Sequence, residues 1–134
     1  MEIEDDLISL KLPDATQEES IIKVIGVGGG GSNAVNHMFR QGIHGVEFVV
    51  CNTDIQALRQ SRVKNRIQLG KELTEGRGAG CQPERGRLSA IESMDFIKTI
   101  LEHNTRMVFI TAGMGGGTGT GAAPEIARQA NWVF

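Results

Sequence analysis

Three clusters of glycine carry the chemistry that can be read from this sequence. They span residues 26–31, 76–86 and 113–121 and hold 15 of the chain's 18 glycines. Glycine is unfavourable in a fold unless the backbone needs a positive φ or must approach another group closely. The first and third clusters each follow an apolar, β-branched run. A strand, a glycine-rich loop and a helix in that order bring together bare N–H groups and a positive helix end, which favours phosphate binding.

The first cluster also fits a dinucleotide-binding motif, and this alternative has to be weighed. Gly26, Gly28 and Gly31 have the G-x-G-x-x-G spacing, and Asp54 stands where a ribose-binding acid would follow the second strand. A domain that binds NAD needs one such loop, however, whereas this chain has a second, richer loop after its fourth predicted strand. In the strand order 3-2-1-4, the two loops meet at one crevice. They therefore favour a nucleoside di- or triphosphate held from two sides.

A Walker A loop is excluded. The Gly-Lys pair at residues 70–71 is followed by Glu72 rather than Ser or Thr, and no glycine stands at the required spacing before it. The phosphate charge would then be balanced by backbone N–H groups, helix ends, hydroxyl groups and a metal ion. The candidate hydroxyl groups are those of Ser32, Thr118 and Thr120.

For each of two sets of charged residues, two interpretations stay open. Asp54 would either hold Mg²⁺, through its water shell, or cap the helix that follows it. Arg77, Arg85 and Arg87 would either face a phosphate or, more simply, carry solvated surface charge.

The elements alternate as βαβαβαβα, which predicts an α/β fold with a doubly wound parallel sheet of the Rossmann type and strand order 3-2-1-4. Strands are predicted at residues 21–27, 46–51, 66–69 and 107–112. The first helix is predicted from a cap at Ser32 or Asn33 to about Gln41, and a short helix follows Asp54. A long helix is predicted from Pro83 to Asn104, and a last one from near Gly119. The long helix has an apolar stripe at Leu88, Ile91, Met94, Ile97 and Leu101, and the last helix has one at Ala122, Ile126 and Ala130.

Composition limits the class of protein. A length of 134 residues with 40% apolar content suits one domain, and the net charge is −2. Residues 1–20 hold seven acidic residues against Lys11, so we expect a flexible acidic extension before a domain that begins at residue 21.

Aromatic content is 4% and tyrosine is absent, which disfavours nucleic acid as a partner. No apolar run is long enough for membrane insertion, and the two separate cysteines suit a reduced, cytoplasmic setting.

Four motifs together resemble the tubulin/FtsZ family of GTPases. They are GVGGGGSNAV at residues 26–35, Asn52-Thr-Asp54, GAGCQPERG at 78–86 and GGGTGTG at 115–121. The resemblance covers about residues 20–130. It implies a GTP- and GDP-binding cytoskeletal protein that uses Mg²⁺, polymerises head to tail with itself, and meets other division proteins in the cytoplasm at the division site.

The resemblance also implies which residues would bind each phosphate group. The α- and β-phosphates would be bound by Gly29, Gly30, Gly31, Ser32 and Asn33. The γ-phosphate would lie near Asp54, Gly78, Ala79 and Gly80. The opposite side would be formed by Gly115, Gly116, Gly117, Thr118, Gly119 and Thr120. The residues that read guanine and the acidic loop that activates water have no counterpart in these 134 residues, so we expect the first half of a GTPase domain, with no catalytic residue and no hydrolysis of its own.

Because the predicted phosphate contacts are made by backbone, a side chain added at glycine should block them. In a full-length protein, we expect valine at Gly30 or Gly117 to abolish nucleotide binding and to leave the fold largely intact.

Overall fold

The computed structural model describes residues 20–133, which contain a four-stranded sheet with helices on both faces. The predicted acidic extension lies outside the described residues except for Ser20. The strands are β1 (Ile22–Val27), β2 (Glu47–Asn52), β3 (Asn65–Gln68) and β4 (Met107–Ala112). They lie in the order β3-β2-β1-β4, and every neighbouring pair is parallel. The predicted α/β class and strand order 3-2-1-4 are confirmed.

Six helices connect or follow these strands within the described residues. They are α1 (Gly28–Arg40), α2 (Ile55–Gln60), α3 (Lys71–Thr74), α4 (Pro83–Glu92), α5 (Met94–Glu102) and α6 (Thr118–Val133). None of them is both long enough and apolar enough to cross a lipid bilayer.

Two apolar layers lie on opposite faces of the sheet, because successive strand side chains point to opposite sides. On one face, Val24 of β1 packs in a cluster with Val35 of α1. On the other, Ile25 packs with Ile97 of α5 and Ile126 of α6. Both faces of β1 are therefore covered, as expected for a central strand of a parallel sheet.

Helix α1 begins earlier than predicted. It starts at Gly28, directly after β1, and no side chain caps it, so the predicted cap at Ser32 or Asn33 is wrong. The glycine run is the first turn of the helix rather than a loop before it. A Cβ at Gly31 would lie 2.3 Å from the carbonyl oxygen of Thr111, so the helix comes too close to β4 for a side chain. Close approach outweighs the low helix propensity of glycine here.

The predicted long helix is two helices, α4 and α5, divided at Ser93. The hydroxyl of Ser93 accepts a hydrogen bond from the N–H of Gly70 at 3.1 Å and donates one to the carbonyl of Gln68 at 3.3 Å, which ties the break to the segment after β3. The predicted stripe is correct at Ile97 and Leu101, which are buried.

The same stripe is wrong at Leu88 and Ile91, whose side chains are exposed. The buried face of α4 is made of Gly86, Ser89 and Ala90 instead. These small residues let α6 approach closely: a Cβ at Gly121 of α6 would lie 1.8 Å from the carbonyl oxygen of Pro83. The close packing of α4 against α6 decides which face of α4 is buried. The spacing of apolar residues in the sequence does not report such packing.

Helix α6 begins at Thr118, one residue before the predicted start. Its predicted apolar face is confirmed, since Ala122, Ile126 and Ala130 are buried. Helix α6 therefore rests on the sheet with its amino terminus at the edge where β1 and β4 end.

Candidate phosphate-binding site

The first and third glycine clusters contact each other at the carboxyl edge of the sheet. Strands β1 and β4 are neighbours in register, with Val27 opposite Ala112. A Cβ at Gly30 would lie 3.3 Å from the Cα of Gly113, and one at Gly28 would lie 2.9 Å from the amide nitrogen of Gly119. The two backbones touch because no side chains separate them.

A cleft of about 390 Å³ opens beside this contact. Four segments form its walls: the first turn of α1, the end of β2, the second glycine cluster, and the segment from β4 into α6. The lining residues are Val27, Gly29, Gly30, Asn52, Thr53, Asp54, Ala57, Gly78, Ala79, Cys81, Gly113, Met114, Gly116, Gly117, Thr118 and Gly119.

Two helix amino termini contribute residues to the wall of this cleft. Gly29 and Gly30 belong to the first turn of α1, and Thr118 and Gly119 to that of α6. The first N–H groups of a helix have no partner within it. Neither helix has an acidic residue in its first turn, and no side chain caps α1. Two unneutralised positive helix ends thus meet at one cleft, which is a favourable place for a polyanion.

The second glycine cluster supplies a third wall. Gly78 and Ala79 line the cleft, and Gly78 has φ +88°, a conformation that favours glycine. An isolated antiparallel bridge joins Arg77, at the start of this segment, to Asp54, and the N–H of Ile55 donates to the carbonyl of Gly76 at 3.1 Å. Gly80 does not line this cleft and borders a neighbouring cavity instead.

Asp54 caps helix α2 and also lines the cleft. Its Oδ1 accepts hydrogen bonds from the N–H groups of Gln56 at 2.9 Å and Ala57 at 3.2 Å, which confirms the capping interpretation. Its Oδ2 accepts none from the described residues. Among residues 20–133, no group of three or more His, Cys, Asp or Glu side chains is placed to hold a metal. A cation in the cleft would therefore need oxygen ligands from phosphate and water in addition to Asp54.

Two threonines of α6 hold the site together in different ways. The hydroxyl of Thr118 lies 2.6 Å from that of Thr53, at the end of β2, and both residues are buried. The hydroxyl of Thr120 accepts a hydrogen bond from the N–H of Gly115 at 2.9 Å. Thr120 and Gly115 do not line the cleft; their hydrogen bond closes the turn that leads into α6.

Three predicted residues of α1 are not among those that line the cleft. Gly31 is packed against Thr111, and Asn33 is exposed. The hydroxyl of Ser32 is buried and has no hydrogen-bond partner among the described residues. A buried hydroxyl without a partner costs free energy, so a ligand that pairs with Ser32 would remove that cost.

The expectation that valine at Gly117 would spare the fold is wrong. A Cβ there would lie 2.8 Å from both the Cβ of Ala79 and the amide nitrogen of Gln82. Gly29 and Gly116 are different, since an added Cβ at either position meets nothing within 4 Å. These two glycines are the positions where a side chain can test the site without disturbing the fold.

Sequence reasoning missed several residues of the wall. Asn52 was noticed only as part of a motif, yet its Oδ1 accepts the N–H groups of Thr53 at 2.8 Å and Asp54 at 3.2 Å and so shapes the turn after β2. Asn52 and Thr53 lie at the carboxyl end of a strand, and that position was the sequence signal that could have identified them. Nothing in the sequence marks Cys81, which is exposed on the wall with φ +57°.

A parallel sheet of order β3-β2-β1-β4 with glycine-rich helix starts at its carboxyl edge is typical of doubly wound nucleotide-binding domains. The chain belongs to the tubulin/FtsZ family, whose GTPase-domain description matches residues 21–133.

Individual relatives agree with this assignment. The chain is 58% identical over 118 residues to the cell division protein FtsZ of Buchnera aphidicola, covering 88% of this chain and 30% of that protein. It is similar to an FtsZ dimer structure from M. jannaschii, with a TM-score of 0.82 and 42% identity over 88% of this chain and 34% of that one. It is also similar to a GTPγS-bound CetZ2 protofilament from Haloferax volcanii, with a TM-score of 0.74 and 26% identity over 84% of this chain and 36% of that one. The chain thus spans about a third of the length of these relatives.

Proposed function

We propose that this chain is the phosphate-binding half of a GTP-binding domain, from a cell-division protein that polymerises and hydrolyses GTP. The observation that carries the proposal is the meeting of two glycine-rich helix starts, α1 and α6, at one cleft of about 390 Å³. Membership of the tubulin/FtsZ family supplies the nucleotide, since that family's matching domain is described as a GTPase domain.

The proposed contacts divide by wall. The N–H groups of Gly29 and Gly30, with the buried hydroxyl of Ser32 behind them, bind the α- and β-phosphates. Those of Gly116, Gly117 and Gly119 bind from the opposite side. Those of Gly78 and Ala79 lie toward the γ-phosphate. Gly31, Asn33, Gly80, Gly115 and Thr120 support these segments from outside the wall.

Mg²⁺ fits the chemistry of the donor set. The free Oδ2 of Asp54 is a hard oxygen ligand on the wall of the cleft, and one carboxylate together with phosphate oxygens and water is how Mg²⁺ is commonly held. The ion would neutralise phosphate charge. In this proposal Asp54 reaches it directly or through a bound water, and the capping bonds to Oδ1 keep the carboxylate in place.

We propose that the chain binds GTP but does not hydrolyse it by itself. Asp54 is the one acidic residue among those that line the cleft, and its Oδ1 is committed to the cap. Glu84 and Glu125, which follow two of the cleft segments in sequence, are paired with Arg87 and Arg128. In this proposal the Oδ2 of Asp54 serves the Mg²⁺ ion, so no carboxylate among the residues that line the cleft is left to orient an attacking water. That function typically contributes orders of magnitude to the rate.

Self-association and cellular place are proposed from the relatives. The M. jannaschii structure is an FtsZ dimer, the CetZ2 structure is a protofilament, and the Buchnera relative is a cell division protein. We propose the same for the complete protein to which this sequence corresponds: head-to-tail polymerisation in the cytoplasm at the division site, together with other division proteins.

The test is calorimetric titration of the 134-residue chain with GTP, GDP and NAD, with Mg²⁺ present. Because the cleft offers phosphate contacts on both sides, GTP and GDP should bind, inorganic tripolyphosphate should displace them, and NAD should not. Phosphate release from GTP should stay at the background rate. Displacement of GTP by NAD, or bound GTP that tripolyphosphate leaves in place, would favour the dinucleotide interpretation and reject this one.

A further inference from the structure

A second cavity, of about 460 Å³, shares the lining residue Gly78 with the first. Its lining residues are Leu73, Thr74, Glu75, Arg77, Gly78, Gly80 and Arg85. Gly78 is common to both walls, so the two cavities are next to each other along the second glycine cluster.

Donors exceed acceptors among the side chains of this second cavity. Two guanidinium groups, of Arg77 and Arg85, face one carboxylate, of Glu75. The Arg77–Glu75 pair is loose, at 3.8 Å, with side chains that are 83% and 70% exposed. An exposed pair of this kind contributes little and exchanges readily. The cavity therefore carries a net positive charge.

Arg85 is the better-anchored of the two guanidinium groups. One of its terminal nitrogens donates to the carbonyl of Leu73 at 3.0 Å, and its Nε is buried without any partner in the described residues. A buried donor left unpaired is unfavourable, and more so when the group is charged. The N–H group of Gly80, on the same wall, also donates no hydrogen bond within residues 20–133. Several unused donors thus surround one space.

Arg87 lies on the same helix and shows what an ordinary surface arginine does here. Its Nε donates to Glu84 at 2.9 Å, and hydrogen bonding to that carboxylate holds the pKa of Glu84 below its usual value. Arg87 does not line the second cavity. Of the three arginines that were candidates in the sequence, two meet at a cavity and the third is satisfied by an ion pair.

We propose that the Arg77–Arg85 cavity is a phosphate subsite that continues the nucleotide cleft past Gly78. A tetrahedral oxyanion accepts donors from several directions, which suits two planar guanidinium forks together with backbone N–H groups. The phosphate is either the terminal group of the bound nucleotide or free inorganic phosphate beside it. The proposal rests on the nucleotide site described above, whose contacts it extends.

The test uses the 134-residue chain and the variants Arg85→Gln and Arg77→Gln, with Arg87→Gln as the matched control. Each protein is titrated with GTP, with GDP, and with inorganic phosphate after loading with GDP. Because Arg77 is exposed and makes one weak pair, its substitution is expected to leave the melting temperature unchanged. Arg85→Lys keeps the positive charge but not the guanidinium group that donates to the carbonyl of Leu73. Comparing it with Arg85→Gln separates the effect of losing the charge from the effect of losing that contact.

If the subsite takes the terminal phosphate, Arg85→Gln and Arg77→Gln weaken GTP binding about tenfold and leave GDP binding within twofold. If it takes free phosphate, the same variants weaken phosphate binding to the GDP-loaded chain about tenfold and leave GTP unaffected. Either pattern, with Arg87→Gln unchanged, supports the proposal. Normal binding of all three ligands by both variants overturns it, whether or not phosphate competes with GDP. Failure of every protein to bind GTP or GDP would instead reject the proposed nucleotide site.

Discussion

The hydroxyl of Thr53 lies 2.6 Å from the hydroxyl of Thr118, although the two residues are 65 positions apart in the chain. Thr53 directly follows the last residue of β2, and Thr118 is the first residue of α6. Both residues are buried and line the cleft, and their hydroxyl groups are hydrogen-bonded to each other. This contact fixes the distance between the Asp54 turn and the amino terminus of α6.

Removing one hydroxyl of this pair should therefore affect stability and binding together. Thr118→Val keeps the shape and leaves the hydroxyl of Thr53 buried and unpaired, which should lower the free energy of unfolding by about 2 kcal/mol. We also expect weaker GTP binding. Urea unfolding and calorimetry measure the two effects. Thr118→Ser should restore both, and Thr99→Val, at an exposed position, should change neither.

Glycine substitutions should separate binding from folding. Ala at Gly29 or Gly116 places a methyl group in open space on the cleft wall, so the melting temperature should be kept while GTP affinity falls. Ala at Gly86 or Gly121 would put a Cβ within 2.3 Å or 1.8 Å of a carbonyl oxygen, so those variants should unfold at much lower temperature. Thermal melts with a parallel GTP titration test this contrast; unchanged GTP affinity in both open-space variants would argue against the assigned cleft.

These glycines also show how far the sequence predicts the structure. The strand order and the meeting of the first and third clusters follow from strand-loop-helix patterns that are local in the chain. The start of α1 at Gly28 does not, because the low helix propensity of glycine is outweighed by a close approach to β4 that depends on tertiary packing. The break at Ser93 likewise depends on hydrogen bonds to Gln68 and Gly70, on a different part of the chain.

The candidate site divides in the same way. Glycines and Asp54 are marked by their motifs, whereas the Thr53–Thr118 pair joins two elements that no sequence pattern relates. The place of Cys81 on the cleft wall and the Arg77–Arg85 cavity depend on how the 76–86 segment folds, which no sequence pattern reports.

Asp54 should separate capping from metal binding. Asp54→Asn keeps an oxygen that can cap α2 but removes the charge, so stability should change little while the Mg²⁺ dependence of GTP binding is reduced. Asp54→Ala also removes the cap and should lower the free energy of unfolding by about 1 kcal/mol. Titrations of GTP at several Mg²⁺ concentrations, with unfolding curves, measure both. Equal Mg²⁺ dependence in wild type and Asp54→Asn would remove Asp54 from the metal site.

Strand β4 should make the chain associate with itself. It is an edge strand of the described sheet, and Met107 and Phe109 are 50% and 56% exposed. Open apolar edges pair with other chains. Light scattering after gel filtration should show oligomers, and Phe109→Lys should shift them toward monomer. Phe96→Lys, at a similarly exposed phenylalanine on α5, is the control and should not. A sharp monomer peak from the wild-type chain would contradict this prediction.

Thiol labelling of Cys81 tests the central claim most directly. Cys51 is buried, and burial raises its pKa to about 12, so a maleimide at neutral pH should react with Cys81 alone. Cys81 lines the cleft, as do Ala79 and the first turn of α6. The account predicts that GTP with Mg²⁺ slows the labelling of Cys81 in a saturable way, that NAD does not, and that the protection disappears in Gly29→Ala and Gly116→Ala. Labelling of Cys81 at the same rate with and without saturating GTP would show that the nucleotide does not bind in this cleft.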